Sequence, residues 1–414
     1  MPKRVMKSPA SYRDMSAKKG KRRMCERILK RPCANSTRVL KRPSTIADDV
    51  PYTRHGASIL KSRRERNVWK RDLTQLLLAT HEDVVNMLLQ DGLLNDQEGR
   101  ECPACHTGKL GKLKRHPPVQ DATYRCLRRG CQKRFLPHHG HPIFMVSRGQ
   151  DHVPLRTQAA ILFALLADVT QASIRILFQR NHKFTEGMQA RLDQVCAEYV
   201  LLREPSIVYG QDHFWPDLEA DEVDLRKSAT VNEDGQARLA WEQWGGIVER
   251  GVPSSLILTR LNPAITKLRA PGAGAMRSTD WLPIANRHLK DTNVILHTDG
   301  ARAYTLKVPG VLHDHVIHKK KRIEVNGDSV WIKPKYTRIV KHRLPGGEEV
   351  MVQAGTQVID RFWRFLREKL QGRSSAVGSD TLLRRIRAAQ WAFWHREQDL
   401  WIELGRSMTT LRTA

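Results

Sequence analysis

The first half of the chain repeats apolar residues at the spacing of an amphipathic helix. Leu73, Leu76 and Leu88 mark such a face within residues 66–97, which are predicted to form a helical segment. Three further helices are predicted at 155–167, from about 171 onward, and at 186–201. Because only short polar breaks separate these three helices, residues 151–205 are interpreted as a small bundle of helix-turn-helix type.

The pattern changes at about residue 206, where short apolar runs separated by Gly and Pro replace the helical period. The runs predict strands at 239–248, 255–261, 294–297 and 311–317. Helices are predicted at about 281–289, 356–371 and 380–404. A polar, basic stretch at 319–355 contains a predicted hairpin turn at 345–348. Strands with interleaved and then terminal helices indicate an α/β domain with a mixed sheet and flanking helices.

Composition narrows the class of protein. Apolar residues make up 40% of the 414 residues, which is enough to bury a core and excludes a wholly disordered chain. The longest apolar stretch, Ala159 to Ala167, is too short to cross a bilayer, so no membrane partner is expected. The basic N-terminus also lacks the apolar region of a secretory signal.

Charge points to a polyanionic partner. The formal net charge is +28, and residues 1–64 alone hold 19 Lys and Arg against 4 Asp and Glu. An excess of this size is typical of nucleic-acid binding. Residues 1–65 are interpreted as a disordered basic tail, whose densest cluster is predicted either to direct nuclear import or to contact DNA. That cluster consists of Lys18, Lys19, Lys21, Arg22 and Arg23. A tail that is merely solvated remains the alternative.

Four of the seven cysteines form two close pairs. Cys102 and Cys105 are followed after twenty residues by Cys126 and Cys131. Two such pairs can place four thiolates around Zn²⁺, and a closed site of this kind is structural. Unligated thiols remain the alternative, because the second pair is separated by four residues. The second pair also carries basic residues predicted to bind DNA: Arg128, Arg129, Lys133 and Arg134.

Three acids occupy positions suited to metal chemistry. Asp221 lies in an acidic stretch, Asp299 ends an apolar strand in an Asp-Gly turn, and Asp360 lies on an amphipathic helix. Acids on a first strand, at a later strand end and on a following helix can converge on a mixed sheet. Three carboxylates there would hold two Mg²⁺ or Mn²⁺ ions. Glu368 is the rival third acid, and Glu222 is expected to point away along the strand.

Further motifs surround these acids. They are Gly140-His141-Pro142-Ile143-Phe144, Asp221-Glu222, Gly246-Ile247-Val248-Glu249-Arg250-Gly251, Thr298-Asp299-Gly300-Ala301-Arg302-Ala303-Tyr304, His315-Val316-Ile317-His318, and Gly355-Thr356-Gln357-Val358-Ile359-Asp360-Arg361-Phe362-Trp363. With them, about residues 98–400 resemble the DDE-type transposases of the Merlin superfamily and its bacterial insertion-sequence relatives. The third acid departs from that family's pattern, which usually has Glu where this chain has Asp360.

The resemblance implies a zinc ribbon at 98–150, a helical DNA-binding segment at 151–205 and a ribonuclease H-like catalytic domain at 206–404. It also implies a DDE/DDD-type enzyme, a DNA transposase, in which Asp221, Asp299 and Asp360 hold the metal ions. His318, Lys319 and Lys320 are expected to contact DNA, although a structural histidine and a solvated basic loop are the alternatives.

The expected partner is double-stranded DNA, in the form of terminal inverted repeats, bound by a homo-oligomer. The added tail implies nuclear localisation in a eukaryotic host. Two other functions stay open at this point. One is a non-catalytic zinc-ribbon DNA-binding protein derived from a transposase. The other is a metal-dependent nuclease on the same fold.

Overall fold

The computed structural model describes residues 50–55, 68–115, 122–146, 152–317, 321–325, 328–332, 335–373 and 375–414. Eight predicted DNA-contacting residues lie outside these ranges: Lys18, Lys19, Lys21, Arg22, Arg23, His318, Lys319 and Lys320. Within the described residues, no helix is both long enough and apolar enough to cross a membrane.

The described residues form nine α-helices and thirteen strands, numbered here in chain order. The helices are α1 Leu73–Leu78, α2 His81–Gln90, α3 Leu155–Leu166, α4 Gln171–Phe178, α5 His182–Arg203, α6 Ser278–His288, α7 Gln357–Leu370, α8 Asp380–Trp394 and α9 Leu400–Thr413. The strands are β1 Lys114–Arg115, β2 Ala122–Arg125, β3 Arg134–Phe135, β4 Asp217–Val231, β5 Ala237–Glu249, β6 Ile257–Arg260, β7 Ala264–Lys267, β8 Val294–Thr298, β9 Val311–His315, β10 Lys321–Val325, β11 Asp328–Ile332, β12 Arg338–Arg343 and β13 Glu349–Ala354.

The central sheet is mixed, as the sequence predicts. Its strand order is β6-β5-β4-β8-β9, with β7 also pairing with β5. β4, β5 and β6 are antiparallel neighbours, whereas β8 runs parallel to β4 and β9 runs parallel to β8. Helices pack on both faces of this sheet, so the prediction of an α/β fold with a mixed sheet and flanking helices is confirmed.

Two large apolar cores cover most of the two faces, and a smaller one lies between β8 and the hairpin of β12 and β13. Val223 and Trp244 turn toward a large core shared by α1–α5 and α7–α9, whereas Leu218 and Ile247 turn toward α6. The predicted helical segments at 66–97 and 151–205 therefore share their core with the helices that close the chain. Side-chain contacts also join the two segments directly; in one of them, the Trp401 indole N–H donates to Asp91 Oδ2 at 3.0 Å.

Two predicted elements differ from the structure. The helix expected at 380–404 is divided into α8 and α9, because Asp399 accepts hydrogen bonds from the backbone N–H groups of Trp401 and Ile402 and so begins a new helix. The prediction that residues 1–65 form one disordered tail is wrong for residues 50–55. Arg54 Nε lies 2.7 Å from Asp217 Oδ2, which holds this segment against β4.

Candidate functional site

The first two predicted acids meet where β4 passes the end of β8. β4 pairs with β8 only from Asp217 to Glu219, so Asp221 has no strand partner on that side among the residues that the structure describes. Asp299 directly follows β8 and shapes its own turn, because its Oδ1 accepts a hydrogen bond from the Ala301 N–H at 2.9 Å. The unpaired edge of β4 and the end of β8 therefore bring the Asp221 and Asp299 carboxylates together.

Three carboxylates form a cluster at this point. Asp221, Glu222 and Asp299 each offer one oxygen, and these oxygens all lie within 4.8 Å of one another. Burial, followed by the charge of Glu222, raises the pKa of Asp221 well above its usual range, and the charges of Asp360 and Asp299 raise it further. Oxygen ligands that repel one another suit a divalent cation, so this acid cluster could hold Mg²⁺ or Mn²⁺.

The expectation that Glu222 points away from the site is wrong. Its Oε2 accepts a hydrogen bond from the Tyr304 hydroxyl at 2.6 Å, and its Oε1 accepts one from the Met276 N–H at 2.9 Å. Neighbouring side chains leave opposite faces of a strand, and Asp221 and Glu222 contact Trp363 and Tyr304 respectively, but one oxygen of each carboxylate still lies within 4.8 Å of the other. Glu222 and Tyr304 are therefore site residues that the sequence analysis missed. Two signals were present in the sequence: Glu222 belongs to the Asp221-Glu222 motif, and Tyr304 closes the motif around Asp299.

Asp360 lies beside the cluster, in the first turn of α7. The Thr356 hydroxyl donates to its Oδ2 at 3.1 Å. Its charge acts on Asp221, although it is not one of the three acids whose oxygens lie within 4.8 Å. One turn later, the Trp363 indole N–H donates to Asp221 Oδ2 at 3.0 Å and fixes α7 against β4. The rival acid Glu368 lies about 12 Å further along the helix, at 1.5 Å per residue.

A buried carboxylate, Glu219, ties the strand of Asp221 to the helix of Asp360. Its Oε2 accepts hydrogen bonds from the backbone N–H groups of Val358 and Ile359, at 2.6 and 2.9 Å. These are N–H groups that a helix leaves unpaired at its start. The residue at the N-cap of α7, Thr356, provides no side-chain cap of its own. Glu219 therefore caps α7 from the neighbouring strand.

Arg250 and Tyr52 complete this hub. Arg250 Nε donates to Glu219 Oε1 at 2.8 Å, and its other nitrogens donate to the backbone carbonyls of Tyr52, Gln353 and Gly355. The Tyr52 hydroxyl also donates to Glu219 Oε1, at 2.5 Å. Since Glu219 lies two residues before Asp221 and binds the start of α7, the hub fixes the separation of the acids on β4 and α7.

We expect Glu219→Gln to destabilise the fold strongly. The variant leaves Arg250 buried without its carboxylate and turns an amide NH₂ toward groups that donate. Removing one partner of a buried ion pair costs about 3–5 kcal/mol. Urea unfolding measures the loss, and Glu349→Gln is the control because Glu349 forms an exposed pair with Lys341. Exposed pairs contribute about 0–1 kcal/mol, so equal losses in the two variants would contradict this role of Glu219.

His297 has a structural role two residues before Asp299. It is fully buried, with its Nε2 3.0 Å from Asp217 Oδ1 and its Nδ1 2.7 Å from Asp314 Oδ1. The same Asp314 lies 2.8 Å from His342 Nε2. These contacts bind β8 to β4, to β9 and to the hairpin of β12 and β13. They hold the strand that presents Asp299.

The four predicted cysteines form a second cluster. The Sγ atoms of Cys102 and Cys131 are 3.7 Å apart, those of Cys105 and Cys126 are 3.8 Å apart, and all four lie within 4.8 Å of one another. A tetrahedral zinc site with Zn–S bonds of about 2.3 Å places its sulfurs about 3.8 Å apart. The cysteine cluster could therefore bind zinc, as the sequence predicts.

The backbone around Cys105 favours its thiolate. Hydrogen bonds from the backbone of Thr107 and Gly108 lower the pKa of the Cys105 thiol to about 5, whereas burial raises the pKa of the Cys126 thiol to about 11. Metals bind the thiolate form, so a bound cation would offset the cost of ionising Cys126. Only glycine fits at position 108, because a Cβ there would lie 2.5 Å from Cys126 Sγ. The predicted DNA-binding residues of this segment are all exposed: Arg128, Arg129, Lys133 and Arg134.

No family model, curated protein or solved structure matches this chain. Function is therefore inferred from the acid cluster, the cysteine cluster and the sheet between its two layers of helices.

Proposed function

We propose that this chain is a DNA transposase that cuts and joins DNA strands at the acid cluster, with Mg²⁺ or Mn²⁺ as its cofactor. The observation that carries the proposal is the convergence of Asp221, Glu222 and Asp299, within 4.8 Å, in a chain of net charge +28. A concentrated acidic site in a strongly basic protein suits metal-dependent chemistry on a polyanion.

The order of the strands supports a ribonuclease H-like domain. β4, β5 and β6 form an antiparallel meander, and β8 and then β9 add in parallel on the far side of β4. The acids lie on β4, directly after β8 and at the start of α7. This is the strand, strand-end and helix order that the resemblance to DDE-type transposases implies.

Each residue has a separate role in this proposal. Asp221, Glu222 and Asp299 bind the divalent ions, with Asp360 at the margin of the cluster. Bound ions of this kind activate a hydroxyl nucleophile and stabilise the leaving oxygen of a phosphodiester. Tyr304 holds the Glu222 carboxylate and Trp363 holds the Asp221 carboxylate. Glu219 keeps the two walls of the site at a fixed separation.

The cysteine cluster is assigned to a structural zinc in a zinc ribbon. Its exposed arginines and lysine, together with the basic N-terminal sequence, suit contacts to the phosphates of double-stranded DNA. We assign terminal inverted repeats as the specific DNA, a homo-oligomer as the active complex and the nucleus of a eukaryotic host as its location.

The test is cleavage and joining of DNA by the full-length protein. A plasmid carrying the genomic sequences that flank this coding sequence is incubated with Mg²⁺ or with EDTA, and strand ends are mapped. The proposal expects Mg²⁺-dependent cuts at inverted repeats and joining of the 3′ ends to target DNA. Cuts without joining would favour a nuclease, and binding without cuts would favour a non-catalytic DNA-binding protein.

A further inference from the structure

A short N-terminal segment, residues 50–55, contacts the elements that carry the acids, and we call it the N-terminal strap. It precedes the residues that resemble DDE-type transposases, so the resemblance gives it no role. At its start, the Val50 carbonyl accepts a hydrogen bond from the side chain of Gln353 on β13. At its end, the His55 ring stacks on the His213 ring, with the ring centres 5.0 Å apart. Both ends of the strap are therefore held in place.

Arg54 joins the strap to two of the strands that present the acids. Its Nε donates to Asp217 Oδ2 at 2.7 Å and its Nη2 donates to Asp217 Oδ1 at 3.1 Å, so the ion pair is bidentate. The same Asp217 Oδ1 lies 3.0 Å from Nε2 of His297, on β8. Because Asp221 lies further along β4 and Asp299 directly follows β8, this contact braces both strands just before their acids.

Tyr52 joins the strap to the third element, helix α7. Its hydroxyl accepts a hydrogen bond from the Gln357 N–H at 2.9 Å and donates one to Glu219 Oε1 at 2.5 Å. Glu219 caps the next two N–H groups of α7, so Tyr52 completes the cap at the first residue of the helix. Since Asp360 and Trp363 follow in the first two turns, this cap fixes where α7 places them.

Both parts of the Tyr52 side chain suit this position. The guanidinium carbon of Arg250 lies 3.9 Å from the centre of the Tyr52 ring. Burial, followed by the charge of Glu219, raises the pKa of the Tyr52 hydroxyl well above its usual range. The hydroxyl therefore keeps its proton, and it can donate to Glu219 while it accepts from α7. A phenylalanine would keep the ring contact and lose only the hydroxyl.

We propose that the N-terminal strap is part of the acid site, because its contacts to β4, to α7 and through Asp217 to β8 set the affinity of the carboxylates for Mg²⁺ or Mn²⁺. Tyr52 and Arg54 act as positioning residues. Substituting residues that orient metal ligands without binding the metal changes metal affinity by about 10–100-fold. This inference rests on the proposed function, since it concerns the same acids.

The first test is Mn²⁺ binding by the full-length protein, measured from the electron paramagnetic resonance signal of free Mn²⁺. Tyr52→Phe should weaken binding at the acid cluster about tenfold. Asp299→Asn removes a member of the cluster and so identifies the Mn²⁺ that binds there. If Tyr52→Phe binds Mn²⁺ as tightly as the unaltered protein, the inference is overturned.

Two matched variants separate positioning from general stability. Tyr199→Phe removes a hydroxyl from a half-buried tyrosine of α5 that forms no hydrogen bond through this group with the residues that the structure describes. Ser407→Ala removes the acceptor of the buried Trp391 indole N–H, at 2.9 Å, between α8 and α9. Both should keep the Mn²⁺ affinity of the unaltered protein. An equal loss of affinity in Ser407→Ala would make the effect one of stability and would overturn the inference.

The second test uses the unaltered protein, so it does not depend on how a variant folds. Linkage between binding equilibria is reciprocal, so a strap that strengthens metal binding must itself be held more firmly by the bound metal. Added Mg²⁺ should therefore slow hydrogen exchange of residues 50–55 by up to about tenfold and leave exchange of the mostly exposed helix α4 unchanged. Exchange of the strap that does not respond to Mg²⁺, or equal slowing in α4, overturns the inference.

Neither test requires DNA cleavage, so the strap and the proposed function can fail separately. A protein whose Mn²⁺ affinity depends on Tyr52 but which cuts no DNA would refute the proposed function and leave the role of the strap standing. A protein that cuts and joins DNA, and whose Tyr52→Phe variant binds Mn²⁺ undiminished, would keep the proposed function and refute the role of the strap.

Discussion

Asp221→Asn and Asp299→Asn should each lower the rate of Mg²⁺-dependent DNA cleavage about a thousandfold. Each variant removes one carboxylate oxygen from a cluster whose members lie within 4.8 Å of one another, and an amide is a weak ligand for a hard cation. A metal ion contributes several kcal/mol of transition-state stabilisation. Losing about 4 kcal/mol of it lowers the rate about a thousandfold. The measurement is the single-turnover rate of cleavage of the element-end DNA.

Two controls separate lost chemistry from lost structure. Asp291→Asn makes the same chemical change at an exposed turn residue with a positive φ of 60°, which Asn tolerates well. It should keep full activity. DNA binding in EDTA should survive in all variants, because none loses a phosphate-binding charge. Full cleavage by Asp299→Asn would refute the mechanism.

Glu222 and Asp360 distinguish two versions of the site. The sequence favours Asp360 as the third ligand, whereas the structure places the Glu222 carboxylate inside the cluster and Asp360 at its margin. If Glu222 binds the metal, Glu222→Gln should lower cleavage as strongly as Asp221→Asn. If Glu222 only supports its neighbours, the loss should be much smaller and Asp360→Asn should have the larger effect. Comparing both variants at several Mg²⁺ concentrations shows which carboxylate affects metal binding.

The sequence predicted elements whose pattern is set locally and missed those set by distant pairing. The apolar runs of α3 and β8 were predicted within about one residue, because burial on one or both faces is visible in the chain itself. β4 was not predicted from its pattern. Its acids Asp217 and Glu219 are buried, since they pair with Arg54 and Arg250, which lie elsewhere in the sequence.

In the candidate site, too, the features set by local sequence could be predicted and those set by distant contacts could not. Cys102, Cys105, Cys126 and Cys131 could be grouped from the sequence, because each pair is local and the requirement of four ligands joins the pairs. The orientation of Glu222 could not be inferred in this way. It depends on where β8 stops beside β4, and that register is fixed by long-range contacts.

Removing the metal from the cysteine cluster should unfold the surrounding segment. Its local core consists of little beyond the cysteines, with Leu110 and Tyr124 as the other buried apolar residues. Binding of a structural zinc contributes about 10–16 kcal/mol in small domains, and that free energy is folding free energy. Cys126→Ser in the full-length chain should therefore lose the zinc and expose the backbone of residues 98–115 and 122–135 to hydrogen exchange. Zinc content, expected at about one ion per chain, and exchange rates measure the two effects.

The matched control is Cys196→Ser, which changes a buried cysteine on α5 outside the cluster. It should keep its zinc, although it places a hydroxyl in an apolar core. Because the cysteine segment has a core separate from the two that cover the central sheet, unfolding in Cys126→Ser should stop short of the acid cluster. Mg²⁺-dependent cleavage of arbitrary DNA should then persist while binding to the element ends is lost. Unchanged exchange after zinc removal would show that this segment folds without the metal, and the structural role of the cysteine cluster would be refuted.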